Sequence, residues 1–281
     1  IFKYAITSSA ILLLIGLTGY FFKGFEQRFG TPNFADSIKF SPKREACHTK
    51  GDEYLSPENS CRYFGKNITW ASFGDSHTVE LAYALAERLK KSDSGLIHLS
   101  FSGCPPSLSF DVPVPGCNKW LNESLIYLEE SQSIGTVLLG FRLSAYLNGE
   151  SRDVYWKGFK EIVSRLIEAG KKVYILYPIP ELPVHIRTAV MPFSVFGKTP
   201  LFDLEKATRA NSYFYKNEFV IQKLDSLPYG ENLRSVKPFE VLCNGLFCPA
   251  VKENHALYFD DNHLSISGAR LITESIHLEK N

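Results

Sequence analysis

The sequence lacks an excess of either charge: 31 basic and 30 acidic residues leave a net charge of +1. A dedicated nucleic-acid binder needs a basic face to neutralise phosphates, and here lysine and arginine are spread along the chain instead of massed. No internal repeat or low-complexity tract is visible. There is no Cys-x-x-Cys pair and no histidine at finger spacing, which disfavours a structural zinc site. What is present is an ordinary globular balance, 44% hydrophobic, 22% charged and 14% aromatic over 281 residues. A chain of that size and composition can bury a full core without metal or oligomer support, and collagen-like or wholly disordered readings are excluded.

Tyr4 to Phe22 runs without a charge between Lys3 and Lys23. As a helix rising about 1.5 Å per residue it would span roughly 28 Å, close to a bilayer core. Residues 1–22 are therefore expected to form one transmembrane helix, with Tyr20, Phe21 and Phe22 at an interface. A signal peptide is the competing reading, weakened by bulky Tyr-Phe-Phe-Lys where small residues should precede cleavage. Ile1 in place of an initiator Met reads as a cut point in a longer parent chain.

Six cysteines fall into three neighbouring couples, Cys47 with Cys61, Cys104 with Cys117 and Cys243 with Cys248. Fifteen connectivities are open to six cysteines, and nearest-neighbour pairing is the expectation because each couple brackets a polar loop. Closing a loop of about 15 residues stabilises by roughly 3 kcal/mol in the chain-entropy model. Disulfides imply an oxidising compartment, so the globular part is expected to face the periplasm or cell exterior.

Residues 23–66, with Pro32, Pro42 and Pro57, read as a polar linker or extension that Cys47 and Cys61 tie down. From residue 67 to 281, strand and helix alternate. Strands are expected at 68–73, 95–101, 136–139, 172–177 and 236–242. Helices are expected near 79–89, 119–130, 154–169, 203–224 and 265–278. The proline-rich stretch 178–200 is irregular and long enough to cover a site. Such alternation means an α/β domain, a parallel sheet with helices on both faces.

Ligands bind such sheets at the carboxyl ends of strands. The first strand ends in Gly74-Asp75-Ser76-His77 just before a helix, which puts the Ser76 hydroxyl at the crevice and its N–H at a helix N-terminus. Asp and Ser are also preferred helix caps, so this motif alone is ambiguous. A second cluster, Phe259-Asp260-Asp261-Asn262-His263-Leu264-Ser265, precedes the last helix. A carboxylate three residues before a histidine can reach its ring on one tight turn. A serine needs a base, and the base needs a carboxylate to fix its tautomer, so Ser76, His263 and Asp260 are the candidate catalytic residues. A metal hydrolase using Asp75, His77, Asp260 and His263 is a rival, but those spacings match no metal signature, and no metal is expected.

Gly74-Asp75-Ser76 after a buried strand, with Asp260-x-x-His263 before the last helix, resembles the SGNH/GDSL hydrolase superfamily over roughly residues 67–281. The resemblance implies a flavodoxin-like three-layer α/β/α fold and ester chemistry through a serine acyl-enzyme. It also implies an oxyanion hole formed by the N–H groups of Ser76 and Gly103, the latter in Ser102-Gly103-Cys104-Pro105-Pro106. The need for a turn before Cys104 is an equal reading of Gly103. The third family motif departs: Leu139-Gly140 leads into Phe141-Arg142 where an Asn is expected. Arg142 is then either a side-chain donor to the oxyanion or a loop residue paired with a carboxylate.

A membrane helix, a cysteine-tied extension, Ser-Gly-Cys-Pro-Pro and this Arg together resemble SGNH domains fused behind bacterial membrane acyltransferase-three proteins, such as O-antigen acetyltransferases. That implies a domain in the periplasm at the inner membrane, O-acetylating a sugar of a surface polysaccharide. An N-terminal membrane acyltransferase domain in cis would use the acetyl donor, acetyl-CoA, and the SGNH domain would bind no cofactor. The alternatives are a periplasmic carbohydrate esterase and a non-catalytic glycan-binding module.

Overall fold

The computed structural model describes residues 2–22, 37–108, 110, 112–190 and 203–278. The beginning of the expected linker, 23–36, and the end of the 178–200 stretch therefore lie outside the described residues, as do 279–281.

The expected N-terminal helix forms as α1 (Phe2–Phe21). Among the described residues no helix is long and apolar enough to cross a membrane, so the span expected over residues 1–22 is not shown. The uncharged run includes Thr7, Ser8, Ser9 and Thr18, and the Thr18 hydroxyl donates to the carbonyl of Leu14 at 2.7 Å.

The central sheet holds β1 (Arg62–Tyr63), β2 (Asn67–Gly74), β3 (Ser94–Ser100), β4 (Thr136–Gly140), β5 (Lys172–Leu176) and β6 (Leu233–Val236). Their spatial order is β1-β3-β2-β4-β5-β6. All neighbours are parallel except β1, which lies antiparallel on β3 with Arg62 opposite Ile97 and Tyr63 opposite Leu96. The strictly parallel expectation is corrected at that edge. β1 belongs to the cysteine-tied extension, so no helical crossover forces it to run with the others.

The inner strands are short apolar runs buried on both faces, as parallel strands covered by helices must be. Period-two alternation divides their side chains between two cores. Leu138 and Tyr174 face one with Leu81, Leu85 and Ile272, whereas Val137, Leu139 and Ile175 face the other with Leu121, Phe159 and Ile162. The first core is covered by α2 (Val79–Leu89) and α6 (Ile266–Glu274), the second by α3 (Cys117–Glu130) and α4 (Arg152–Glu168), and α5 (Ala210–Asp225) adds Val220 and Leu224 to the second. The result is three layers, α/β/α.

Two expected boundaries are corrected. The strand placed at 236–242 is β6, ending at Val236, followed by a short helix Pro238–Leu242. Pro238 has no N–H for a sheet ladder but suits the first turn of a helix. The helix placed from 203 begins at Ala210, because the Asp203 side chain caps a separate 3-10 turn, Leu204–Lys206, by accepting from Glu205 N.

All three cysteine couples are bonded: Cys47–Cys61, Cys104–Cys117 and Cys243–Cys248. The chain leaves β2 to form β3 on one side and later returns to form β4 on the other. This reversal makes the carboxyl end of β2 the topological switch point, where a crevice opens.

Candidate active site

β2 ends at Gly74, squeezed between its neighbours: a Cβ there would lie 1.7 Å from the Gly140 carbonyl oxygen, so only glycine fits. The chain then turns through the 3-10 segment Ser76–Thr78 into α2. Asp75 holds that turn. One of its carboxylate oxygens accepts from His77 N at 2.8 Å, and the other from Arg142 N at 2.7 Å and the Tyr146 hydroxyl at 2.8 Å. Asp75 is buried, and burial pushes its carboxyl up against the opposing pull of those three hydrogen bonds. Ser76 is left half-buried at the crevice.

The second element is the loop between Phe259 and α6. Asp260 Oδ1 accepts from Asn262 N at 2.9 Å and His263 N at 2.6 Å, closing a tight Asx-type turn. Its Oδ2 accepts from His263 Nδ1 at 2.7 Å. That tautomer leaves His263 Nε2 as acceptor for the Ser76 hydroxyl, 2.8 Å away. The loop is fixed from behind by the 178–190 stretch, where Leu182 N donates to Asp261 O and Ile186 N to Asp260 O, at 2.7 and 3.2 Å. Burial raises the Asp260 carboxyl, but the hydrogen bonds and charge of His263, with the two backbone N–H groups, outweigh it and hold the group at about 2.

His77 lies beside the pair, its ring 4.8 Å from that of His263, and Nε2 meets Asn262 Oδ1 at 3.1 Å. Burial, followed by the charge of His263, holds His77 well below the ordinary histidine range, so it is a neutral donor. Phe259 stacks on His263 with centroids 5.3 Å apart and planes 12° apart. The Arg44 guanidinium sits 4.9 Å from the Phe259 ring centre, and its Nη1 donates to both oxygens of buried Glu80, at 2.8 and 2.7 Å. Sequence reading placed Phe259 in the second cluster without giving it a role and missed Arg44 and Glu80 altogether, because no local spacing links those two to the site.

Gly103 follows β3 at φ +66°, a left-handed conformation that favours glycine, in a loop whose start is held by Phe101 N donating to Gly74 O at 3.1 Å. The Arg142 side chain is committed to a carboxylate: Nε donates to Glu181 Oε1 at 2.9 Å, and Lys216 pairs with the same Glu181. Of the two readings of Arg142, this geometry is that of the carboxylate partner. Among the described residues no group of three or more His, Cys, Asp or Glu side chains is arranged to hold a metal ion. The rival ligand set is already spent on other contacts, since Asp75 accepts from three donors and both His263 nitrogens are engaged.

The fold and this site define an SGNH-like α/β domain. Residues 46–277 match the family described as SGNH domain (fused to AT3 domains), and the chain belongs to that family. Among solved structures it is similar to the periplasmic domain of a lipopolysaccharide acetyltransferase from Salmonella ser. Paratyphi A, at 17% identity and a TM-score of 0.60, covering 82% of this chain and 89% of that one. A weaker likeness is to a putative platelet activating factor from Streptococcus pneumonia, at 15% identity and a TM-score of 0.47, covering 74% and 81%. No curated protein sequence is significantly similar to this chain.

Proposed function

We propose that this domain moves an acetyl group, through an ester on Ser76, to a sugar hydroxyl of a cell-surface polysaccharide of the O-antigen kind. The observation that carries the reading is the continuous hydrogen-bond chain from Ser76 to His263 to Asp260, at 2.8 and 2.7 Å. Ser76 Oγ attacks the acetyl carbonyl while its proton passes to His263 Nε2. The resulting oxyanion is met by the N–H groups of Ser76 and Gly103. Collapse expels the leaving group, which takes the proton from His263 and leaves acetyl on Oγ. A sugar hydroxyl then gives its proton to His263 and attacks the ester, and Ser76 Oγ departs with that proton. Asp260 holds the Nδ1–H tautomer and steadies the imidazolium as it forms.

The AT3 domains named in the family's description support a membrane acyltransferase in cis as the source of the acetyl group, with acetyl-CoA as its donor and no cofactor bound by the SGNH domain. Three disulfides support a periplasmic setting beside the inner membrane. The membrane tie rests on that fusion and not on α1. The acetyltransferase named among the similar structures supports a lipopolysaccharide sugar as acceptor.

Mass spectrometry after exposure to an activated acetyl ester is expected to find acetyl on Ser76, and none in Ser76→Ala. In the complete protein, folded Ser76→Ala is expected to lose polysaccharide acetylation. Full acetylation by that variant overturns the proposal. Release of acetate with no acetylated sugar makes the domain an esterase instead.

A further inference from the structure

Beyond the crevice, a groove of about 540 Å³ opens between the 37–42 segment, α2 and the start of α6. Its walls include Phe40, Tyr83, Glu87, Asn254, His255 and Arg270. None of these was singled out by the sequence motifs, and none touches Ser76 in the mechanism above.

We propose that this groove is a carbohydrate subsite, holding a sugar of the acceptor chain away from the one that is acetylated. The inference rests on the transferase reading for its biological meaning and on the groove's own chemistry for its ligand class. The volume falls in the ordinary range for small-ligand sites. Two aromatic side chains offer apolar faces to the C–H side of a sugar ring. Phe40 is 42% exposed, and Tyr83 is braced by Tyr63 and Phe64 at 5.8 and 5.5 Å between ring centres. Beside them Arg270 forks onto Glu87 with two bonds of 2.9 Å, from Nε to Oε2 and from Nη2 to Oε1. A fork of this kind presents in-plane donors and acceptors whose orientation is fixed before binding, so hydroxyls gain hydrogen bonds at little ordering cost. The Arg270 and Glu87 charges cancel, and Lys39, also in the wall, adds one positive charge, which suits a polyhydroxylated ligand that is neutral or carries a single acidic group. The number of polar groups in the walls disfavours a lipid or an apolar peptide.

A chain of ring contacts runs from the groove wall to the candidate base. The Phe40 ring meets Phe259 at 5.7 Å, and Phe259 stacks on His263. Phe40 thus packs, through Phe259, against the base that deprotonates the acceptor hydroxyl in the proposed reaction.

The test measures binding and transfer separately. Ser76→Ala protein, unable to turn over, is applied to an array of bacterial surface polysaccharides and their oligosaccharides. It is expected to bind at least one, and adding Arg270→Ala or Phe40→Ala is expected to weaken that binding by about tenfold or more, with thermal unfolding confirming that each variant is folded. In transfer assays with Ser76 intact, the same changes raise the glycan KM more than they lower kcat. Absence of glycan binding, or binding and KM unmoved by both changes, overturns the subsite. A glycan that binds in the groove and is lost with Arg270→Ala, yet is never acetylated, keeps the subsite and removes the transferase reading.

Discussion

The Arg44 guanidinium lies 4.9 Å from the centre of the Phe259 ring, and Phe259 stacks in turn on the imidazole of His263. Arg44 comes from the cysteine-tied extension, three residues before Cys47, so a segment outside the alternating strands and helices helps to position the candidate base. The guanidinium is itself held by Glu80, whose side chain is only 2% exposed. Arg44→Ala removes one member of a buried pair and leaves the other charge stranded, a loss of about 3–5 kcal/mol. The combined change Arg44→Met with Glu80→Gln is expected to recover most of it, as read by urea unfolding. Acetyl loading of Ser76 should stay low in the double variant, because the contact over Phe259 is not restored.

Asp260 links the site to acid stability. Its folded value of about 2 lies below the ordinary 3.8, so as pH falls the unfolded chain takes up this proton first. The stabilisation is complete above the unfolded value and is lost as pH drops through about 4 toward 2. It is worth on the order of 2 kcal/mol, allowing for the group's partial exposure. Asp260→Asn is expected to be less stable than the parent at pH 6 by that amount and to show a shallower loss between pH 4 and 2. Urea midpoints across that range check both parts.

Arg142 stands where the family pattern has an asparagine, and Glu181 holds its side chain. Arg142→Ala keeps the backbone N–H that donates to Asp75, and leaves Glu181 with Lys216 as partner. The expected cost is about 1–3 kcal/mol of stability. Acylation of Ser76 should fall by less than about tenfold, against the roughly hundredfold to thousandfold expected for a lost oxyanion donor. Burst kinetics with an activated acetyl ester separate the two.

The three disulfides differ in the loops they close. Cys47–Cys61 and Cys104–Cys117 have separations of 14 and 13 residues, and Cys243–Cys248 only 5. In the chain-entropy model the first two are worth about 3 kcal/mol each and the last about 2. Paired Cys→Ser changes are expected to lower the melting temperature in that order. The Cys47/Cys61 pair should also slow acetyl loading, since it releases the segment that carries Arg44.

Much of the fold was legible because its signals are local. Short apolar runs such as Val173 to Leu176 announce buried strands, and helical spacing through Val79, Leu81, Leu85 and Leu89 announces α2. The candidate site was legible where two short motifs bear on one reaction. Asp260 and His263 are brought together by a single turn, and the cap at Asp75 is adjacent to the serine it steadies. The errors fell where local signals compete. A run of apolar residues at 236–242 reads as strand until Pro238 is allowed to start a helix. An uncharged run at the N-terminus reads as a membrane span, which no helix among the described residues shows.

By itself the sequence determined the alternation of strand and helix and the three side chains of the proposed relay, which follow from hydrophobic period and near-neighbour spacing. It set the cysteine pairing as an expectation that the structure then met. Only the tertiary structure decided that Ser76 and His263, 187 residues apart, share a hydrogen bond. It alone showed that Glu181 claims the Arg142 side chain, that Arg44 packs over Phe259, and that a groove opens beside Phe40. Those relationships arise where separate elements cross at the sheet's switch point and along α2. No local pattern encodes a contact between segments whose only connection is the core they both bury.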